Sequence, residues 1–489
     1  MNGKTDTRNE TETTKPIDVG RHALVLGGSL AGLIAARVLS DHFDSVTLIE
    51  RDNFPATAES RRGTPQANHV HALMLRGRLI LEQLFPGLQQ EMMAAGAPLI
   101  DIGNNVAWLT PQGWGVRFKS DLEVLSFTRP LLDLHVRRRL ILDGRVQIME
   151  NTEIVRLLPA RKGERIAGAL VRTRRENSDA PFETEVIADL VVDATGRASR
   201  APRWLEELGY PAPKETVINA HIGYASRLYR IPKGFSADWT CAFVQAAPPR
   251  RKRGGLVFTV EGDRWLVTLI GGGHDFPPTD EAGFLEFARS LPTPVIYDAI
   301  SQAEPISPIR GHRGTENRLR HFERASRRPE NFIAIGDAVC AFNPVYGQGM
   351  TIAAMGAMAL DGCLRQRKNN LKGFARRFQK RLTKVTAAPW MLATSEDYRY
   401  RETEGGSPKL ATRFMHRYMD QVLKLATVNP SVRMVLLKAF SMVVQPSALF
   451  RPKVALRVLR NTVGSVRRPG GAARKGSRGS LAYDSVTND

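Results

Sequence analysis

The sequence predicts an α/β chain, α+β when taken whole, from three observations. Residues 24–52 read as strand, glycine turn, helix and strand. Two later apolar runs, at 188–200 and 331–360, also end in small-residue turns. Between them lies a block of alternating β-rich runs, and helical periodicity takes over after residue 380. The 489 residues, 42% hydrophobic, suffice for a large core and two or three domains.

The first element is LVLGGSLAGLIAARVLSDHFDSVTLIERD. The apolar run HALVLGG ends at Gly27-Gly28, LAGLIAARVLS has helix composition, and SVTLIERD closes on an acid. This is the βαβ dinucleotide fingerprint in its required context, the opening of a Rossmann-like domain. Gly27 permits the tight turn, Gly32 lets the helix pack close to the strand, and the helix N-terminus faces a pyrophosphate. Ser29 stands where the fingerprint wants its second glycine. It is small, and its hydroxyl can donate to that phosphate. Glu50 lies 23 residues after Gly27, where a carboxylate accepts hydrogen bonds from a ribose diol. It would also repel a 2′-phosphate, which disfavours NADP at this site.

The second element, ADLVVDATGRASR, is a β-rich run ending in a small-residue turn at Thr195-Gly196. The third, NFIAIGDAVCAFNPVYGQGMTIAAMGAMAL, is an apolar strand ending in Gly336-Asp337. A proline-containing loop follows, then Gly347-Gln348-Gly349 and an Ala/Met-rich helix. A glycine loop feeding a helix N-terminus offers oriented N–H groups to an anion. Asp337 can accept hydrogen bonds from polyol hydroxyls. A single ligand with a pyrophosphate, a sugar-like chain and an electron-accepting ring needs both ends of this arrangement. FAD fits that description.

In order and spacing the three stretches resemble the motifs of FAD-dependent monooxygenases of the aromatic-hydroxylase (p-hydroxybenzoate hydroxylase-like) superfamily, over roughly residues 20–380. The resemblance implies that Gly27, Gly28, Ser29, Gly32, Glu50 and Arg51 hold the ADP half and that Gly336 and Asp337 bind the ribityl chain. The loop from Pro344 through Gly347 and Gly349 to Met350 would present N–H groups to the flavin pyrimidine edge. SFTRPLLDLHVRRRL resembles the family helix whose early arginine, here Arg129, reaches the FAD. RRGTPQANHVHALMLRG resembles the loop beside the flavin, with Arg62 and Gly63 as contacts, and TEIVRLL the strand whose apolar Val155 touches the adenine. His69 and His71 in that loop are read as structural, because they lack a third metal ligand. Closer still, RGTPQANHVHALMLRGRLILEQLFPG and GDAVCAFNPVYGQGM resemble the flavin epoxidases of polyether antibiotic biosynthesis.

One departure matters. Aromatic hydroxylases carry an Asp-Gly pair in the middle motif, linked to FAD and NADPH, whereas this chain has Thr195-Gly196. Direct use of NADH or NADPH is thereby in doubt, and a separate flavin reductase would supply the electrons. The Trp-x-Trp-x-x-Pro segment of flavin halogenases and the aromatic motif of isoprenoid reductases are both missing.

Between the second and third motifs, HIGYASRLYRI, TCAFVQAA, GGLVFTV and RWLVTLIGG read as an antiparallel sheet. In the family such a sheet roofs the flavin and forms the substrate pocket. With no Ser-His-Asp or metal set in that region, no catalytic acid or base is nominated. Flavin chemistry needs position, dryness and electrostatics from the protein. The expected reaction is insertion of one oxygen atom from O2 into an apolar substrate, by hydroxylation or epoxidation through a flavin hydroperoxide. The alternatives are a flavin oxidoreductase without oxygen insertion, such as a double-bond reductase or dehydrogenase, and a flavin-bearing membrane-associated binding protein.

The charge is +21, and nine basic residues with no acid lie between Arg451 and Arg478. No nucleic-acid motif accompanies them, so nucleic acid is set aside and a solvated tail or an anionic membrane surface remains. No apolar run reaches eighteen residues, and the polar N-terminus has no signal-peptide core. The widely spaced Cys241, Cys340 and Cys363 match no zinc or disulfide spacing, and a cytoplasmic setting is expected. Leu410, Phe414, Tyr418, Val422 and Leu425 mark one face of an amphipathic helix. The division expected is an FAD-binding domain from 21–100, 121–200 and 325–380 and a substrate domain from 101–120 and 201–324. A helical region at 381–468 follows, with disordered segments at 1–20 and 469–489.

Overall fold

The computed structural model describes residues 22–160, 165–174, 181–366 and 371–466. The termini that the sequence reads as disordered lie outside these residues.

Five strands form one all-parallel sheet in the order Phe332–Ala334, Leu190–Asp193, His22–Leu26, Ser45–Ile49, Val146–Met149. Four of the five are wholly or nearly wholly buried, as strands covered on both faces must be. The opening strand sits between neighbours reached by crossovers in opposite directions. Their carboxyl ends therefore open a crevice beside it. The helices Leu30–Leu39, Arg129–Leu142 and Gly349–Arg365 cover the sheet and share its core.

A seven-stranded sheet forms the second layer system, in the order Arg310–His312, Gly223–Arg230, Arg264–Gly271, Arg253–Val260, Cys241–Val244, Val106–Thr110, Gly113–Trp114. Its pairing is antiparallel except for Cys241–Val244 against Val106–Thr110. Alternation gives it two unlike faces. Ala225, Tyr229, Val244, Val257, Trp265, Val267 and Leu269 pack under the helices Glu281–Arg289 and Val295–Ile300. Tyr224, Ser226, Leu256, Phe243, Thr268, Ile270 and Trp108 occupy the other face.

The C-terminal helices are Phe374–Asp397, Leu410–Ala426, Pro430–Phe440 and Pro452–Val466. The amphipathic stripe packs only in its second half. Val422 is buried and Tyr418 and Leu425 pack against its cluster, whereas Leu410 and Phe414 are 83% and 68% exposed. Among the described residues no helix is long and apolar enough to cross a membrane.

Candidate functional site

The three sequence motifs meet at the carboxyl ends of the parallel strands. Gly27 N–H donates to the Ile49 carbonyl (2.9 Å), Ala194 N–H to Leu26 (2.8 Å) and Ile335 N–H to Asp193 (2.9 Å), so the three turns start side by side. Gly27 has φ +100°, and a Cβ there would lie 2.7 Å from the Ala194 carbonyl oxygen. Only glycine permits that contact. A Cβ on Gly32 would come within 1.8 Å of the Gly27 carbonyl oxygen, the close strand–helix approach expected of that position. Gly336, at φ +62°, sits so near the first helix that its Cβ would meet the Ala31 methyl at 2.8 Å. The first and third motifs, some 300 residues apart, thus share one wall.

Arg129 completes that wall from the start of its own helix. Its Nη2 donates to Ser29 Oγ (3.2 Å) and its Nε to Asp133 (2.8 Å). Ser29 caps no N–H of its helix with that oxygen. The serine that replaces a fingerprint glycine therefore joins a cationic side chain to the helix N-terminus, where anions bind.

Glu50 is buried, and its carboxylate accepts from Gly28 N–H (2.8 Å), Asp52 N–H (3.0 Å) and Arg61 Nη1 (2.9 Å). Arg61 also bonds Asp52 (3.1 Å) and the Gly28 carbonyl (3.0 Å), while Asp52 receives Gly63 N–H (2.6 Å). Sequence reading missed Arg61. The pair Arg61-Arg62 does not reveal which member turns inward, and the structure leaves Arg62 and Arg51 exposed. Thr152 N–H donates to the Glu50 carbonyl (2.9 Å), which starts the strand Thr152–Pro159 beside this corner. Val155 lies in it, half-buried, at a register break between Ile154 and Arg156.

Thr195 turns away from the crevice. Its N–H and hydroxyl both reach Asp193 Oδ1 (2.9 and 2.5 Å), and Ser199 Oγ takes Oδ2 (2.5 Å). The buried Asp193 thus ties the turn, and burial pushes its carboxyl above the usual range. Gly196, at φ +81°, has nothing among the described residues within 4 Å of a Cβ.

At the other end, the Asp337 carboxylate accepts no hydrogen bond among the described residues. Burial pushes its pKa up against the pull of Arg197, Arg129 and Arg320. Among the described residues, a Cβ on Gly349, at the N-terminus of the helix Gly349–Arg365, would have only Asp337 Oδ1 near it, at 4.0 Å. Gln348, 8% exposed, leaves its Oε1 without a partner among the described residues. A buried unpaired acceptor such as Gln348 Oε1 is rare in folded proteins and marks a place where a ligand or water completes the set, and the half-buried Asp337 carboxylate lies beside it. Glycine backbones, an unpaired carboxylate and an open helix N-terminus fit the pyrophosphate and polyol of FAD.

The turn Pro344–Tyr346 is held from behind by a residue that sequence reading passed over. Asp397, fully buried at the end of the helix Phe374–Asp397, accepts from Tyr346 hydroxyl (2.5 Å), Asn317 Nδ2 (2.6 Å) and Asn343 Nδ2 (3.3 Å). Asn343 caps the turn by accepting from Val345 N–H (3.2 Å). Burial pushes the Asp397 carboxyl up to about 7. Met350 is buried on the following helix, Gly347 has φ +64°, and Pro344 is exposed.

Above this turn stands the second face of the seven-stranded sheet. Val345 packs with Tyr224, Ile270 and Leu256. Beside them the buried His69 bonds Ser226 Oγ through Nδ1 (2.8 Å), and Ser226 Oγ meets Thr268 Oγ1 (2.6 Å). His69 stands edge-on to Tyr224 at 4.5 Å, and His312 lies 5.3 Å from Tyr224. Burial pulls His69 down to about 3 and His71 to about 4, so both are neutral at physiological pH. Farther along the face Trp108 stacks on Phe243 at 5.7 Å and meets Phe440 of the helix Pro430–Phe440 at 5.4 Å. The face is thus apolar, with one neutral polar corner. Strand alternation could have foretold the face. The partner of His69, 157 residues away, could not be foretold.

Protein Rv3254 of Mycobacterium tuberculosis is 32% identical over 431 residues, spanning 86% of this chain and 89% of the relative. No protein-family model matches the chain. Among solved structures, the flavin-dependent brominase Bmp2 superposes with a TM-score of 0.64 at 15% identity, over 91% of this chain and 99% of that one. A probable FAD-dependent monooxygenase of Pseudomonas aeruginosa, PqsL, superposes with a TM-score of 0.56 at 14% identity, over 84% and 98%.

Proposed function

The chain belongs to the family of the mycobacterial protein Rv3254 and has the fold of FAD-dependent monooxygenases and halogenases; from that premise we propose that it is an FAD-dependent monooxygenase acting on an apolar organic substrate. The observation that carries this reading is the unpaired Asp337 carboxylate and open Gly349 helix end, facing an apolar sheet across the Pro344–Tyr346 turn. Bound FAD would supply the redox chemistry, accepting electrons and passing them to O2. Gly27, Gly28, Ser29 and Arg129 would bind its pyrophosphate, Gly32 lets the helix end come close enough to do so, and Asp337 would orient its ribityl chain. The 347–350 backbone offers N–H groups and a positive helix end to the pyrimidine edge, which favours negative charge there. The sheet face excludes water. Tyr224 and the His69–Ser226 pair are the polar groups that fix one hydroxyl or carbonyl of the substrate.

The middle motif leaves no free carboxylate, because Thr195 is turned to Asp193. That favours electrons arriving through a separate reductase over direct NADH or NADPH use. A peripheral contact with an anionic membrane is supported by the exposed Leu410, Phe414 and Leu456 among basic residues of the C-terminal helices.

The test is the visible spectrum of the purified protein under anaerobic NADH or NADPH, followed by product mass under heavy oxygen gas. A yellow flavoprotein that bleaches only with an added reductase, and a product gaining one heavy oxygen atom, is expected. A reduced product without heavy oxygen would replace the reading with hydride transfer. A colourless protein that binds no added FAD would end it.

A further inference from the structure

The flavin-side face of the seven-stranded sheet ends, beside its outer strands Val106–Thr110 and Gly113–Trp114, on a buried charge that no group among the described residues neutralises. Arg433 is 0% exposed, and none of its three guanidinium nitrogens has a hydrogen-bond partner among the described residues. The guanidinium lies 5.9 Å from the Trp108 ring centroid. Gly115 makes room for it, because a Cβ there would fall 1.2 Å from Nη1. The neighbouring Arg117 adds positive charge, and its own guanidinium is engaged by Asp238. Burial and Arg117 pull the Arg433 pKa down to about 10, which still leaves it charged at neutral pH.

An unpaired buried ion costs several kcal/mol, and removal of one partner of a buried pair is among the most destabilising changes known. A folded protein tolerates such a group where a ligand completes it. The guanidinium fork matches a carboxylate, and the surroundings select what that carboxylate carries. Trp108, Phe243, Phe440, Leu437 and Met434 form an apolar wall. That wall continues across the sheet to Leu256 and Tyr224, over Val345 of the flavin-side turn. From the Trp108 strand to the Leu256 and Tyr224 strands is two to four strand steps, about 10 to 20 Å.

We propose that Arg433 is the anchor for the carboxylate of the substrate, whose apolar chain lies along Trp108 and Phe243 toward the flavin-side turn. The substrate is then an extended apolar carboxylic acid. This deepens, and rests on, the monooxygenase reading. The helix Pro430–Phe440 becomes part of the pocket.

Calorimetric titration of the full-length protein with dodecanoate, dodecanol and acetate, each below any micellar concentration, tests it. Dodecanoate should bind at least about tenfold tighter than dodecanol in the wild-type chain, with acetate binding far weaker than either. Arg433→Met should erase the preference yet keep dodecanol binding, FAD content and a Tm no lower than wild type, since Met adds no unpaired charge. Arg433→Lys should restore part of it. Equal binding of dodecanoate and dodecanol, an undiminished preference in Arg433→Met, or acetate matching dodecanoate would each overturn the proposal. The readout does not depend on turnover. A chain that keeps the preference but holds no FAD would refute the monooxygenase reading and leave the anchor standing.

Discussion

Glu50 and Asp337 sit at the ends of two strands of one parallel sheet, and their surroundings differ in kind. Glu50 receives two backbone N–H groups and a guanidinium from the protein itself. Asp337 receives no hydrogen bond among the described residues, and burial pushes its pKa up. The first corner is finished by the chain. The second is left open among the described residues. A carboxylate's position at a strand end therefore does not say whether it serves the fold or the cofactor. Its partners do.

The largest effect that would break this comparison is at neither acid. Gly32→Val pushes a side chain into the Gly27 carbonyl and should cost about 3 kcal/mol or more in stability, with loss of bound FAD. Calorimetric melting together with flavin absorbance checks both. Near-wild-type flavin content in this variant would mean that the site is misassigned.

The two acids come next and should respond oppositely. Glu50→Gln removes a charge facing Arg61, so the cofactor-free protein should lose about 2–3 kcal/mol in urea denaturation. Asp337→Asn should leave the cofactor-free protein as stable as wild type, or slightly more so, while FAD affinity falls by about 2 kcal/mol, roughly thirtyfold. If the two variants behave alike, the contrast between the corners is lost.

Asp397 sharpens the comparison through pH. Its carboxyl is pushed up to about 7 in the folded chain from an ordinary 3.8. The folded state holds this proton more tightly, so the stabilisation is complete below pH 4 and is lost as pH rises through 7. His71 and His69, pulled down to about 4 and about 3 from 6.5, act the other way. Their contribution is present above pH 6.5 and is lost as pH falls through those values. Between pH 5 and 8 Asp397→Asn should therefore gain about 1 to 3 kcal/mol relative to wild type, read from urea melts at the two pH values. Parallel curves would show that Asp397 does not carry this proton.

The smallest effect is expected at the oddity in the fingerprint. Ser29→Gly removes one hydrogen bond to Arg129 and opens the phosphate approach, and FAD affinity should change by less than about 1 kcal/mol. Fluorescence titration of the stripped protein with FAD decides it, and loss of binding would make the hydroxyl an obligate ligand.

Much of the strand-end corner was legible in the sequence because its parts are local. Gly27, Gly32 and Glu50 fall within one strand–turn–helix–strand unit, and each has a steric or charge reason to be that residue type. Gly336 and Asp337 were legible for the same reason. What sequence left open was orientation. It could not say that Arg61 rather than Arg62 turns inward, or that Thr195 faces Asp193. Such choices depend on a single rotation about the chain, and neighbours that are close in space but distant in sequence set it.

The substrate side divides in the same way. Alternating β-rich runs and the helical stripe after residue 410 are periodicities, and periodicity survives without tertiary context. Tertiary packing decided that Leu410 and Phe414 stay exposed, because the helix runs past the body it packs on. It also brought Ser226 to His69, Asp397 to the Pro344–Tyr346 turn, and Arg433 beneath Trp108. Each of these joins groups separated by 50 residues or more. A sequence records the residue types that local geometry requires. Whether a buried polar group finds its partner is settled only when the layers close, since only then is water excluded and the missing hydrogen bond made costly.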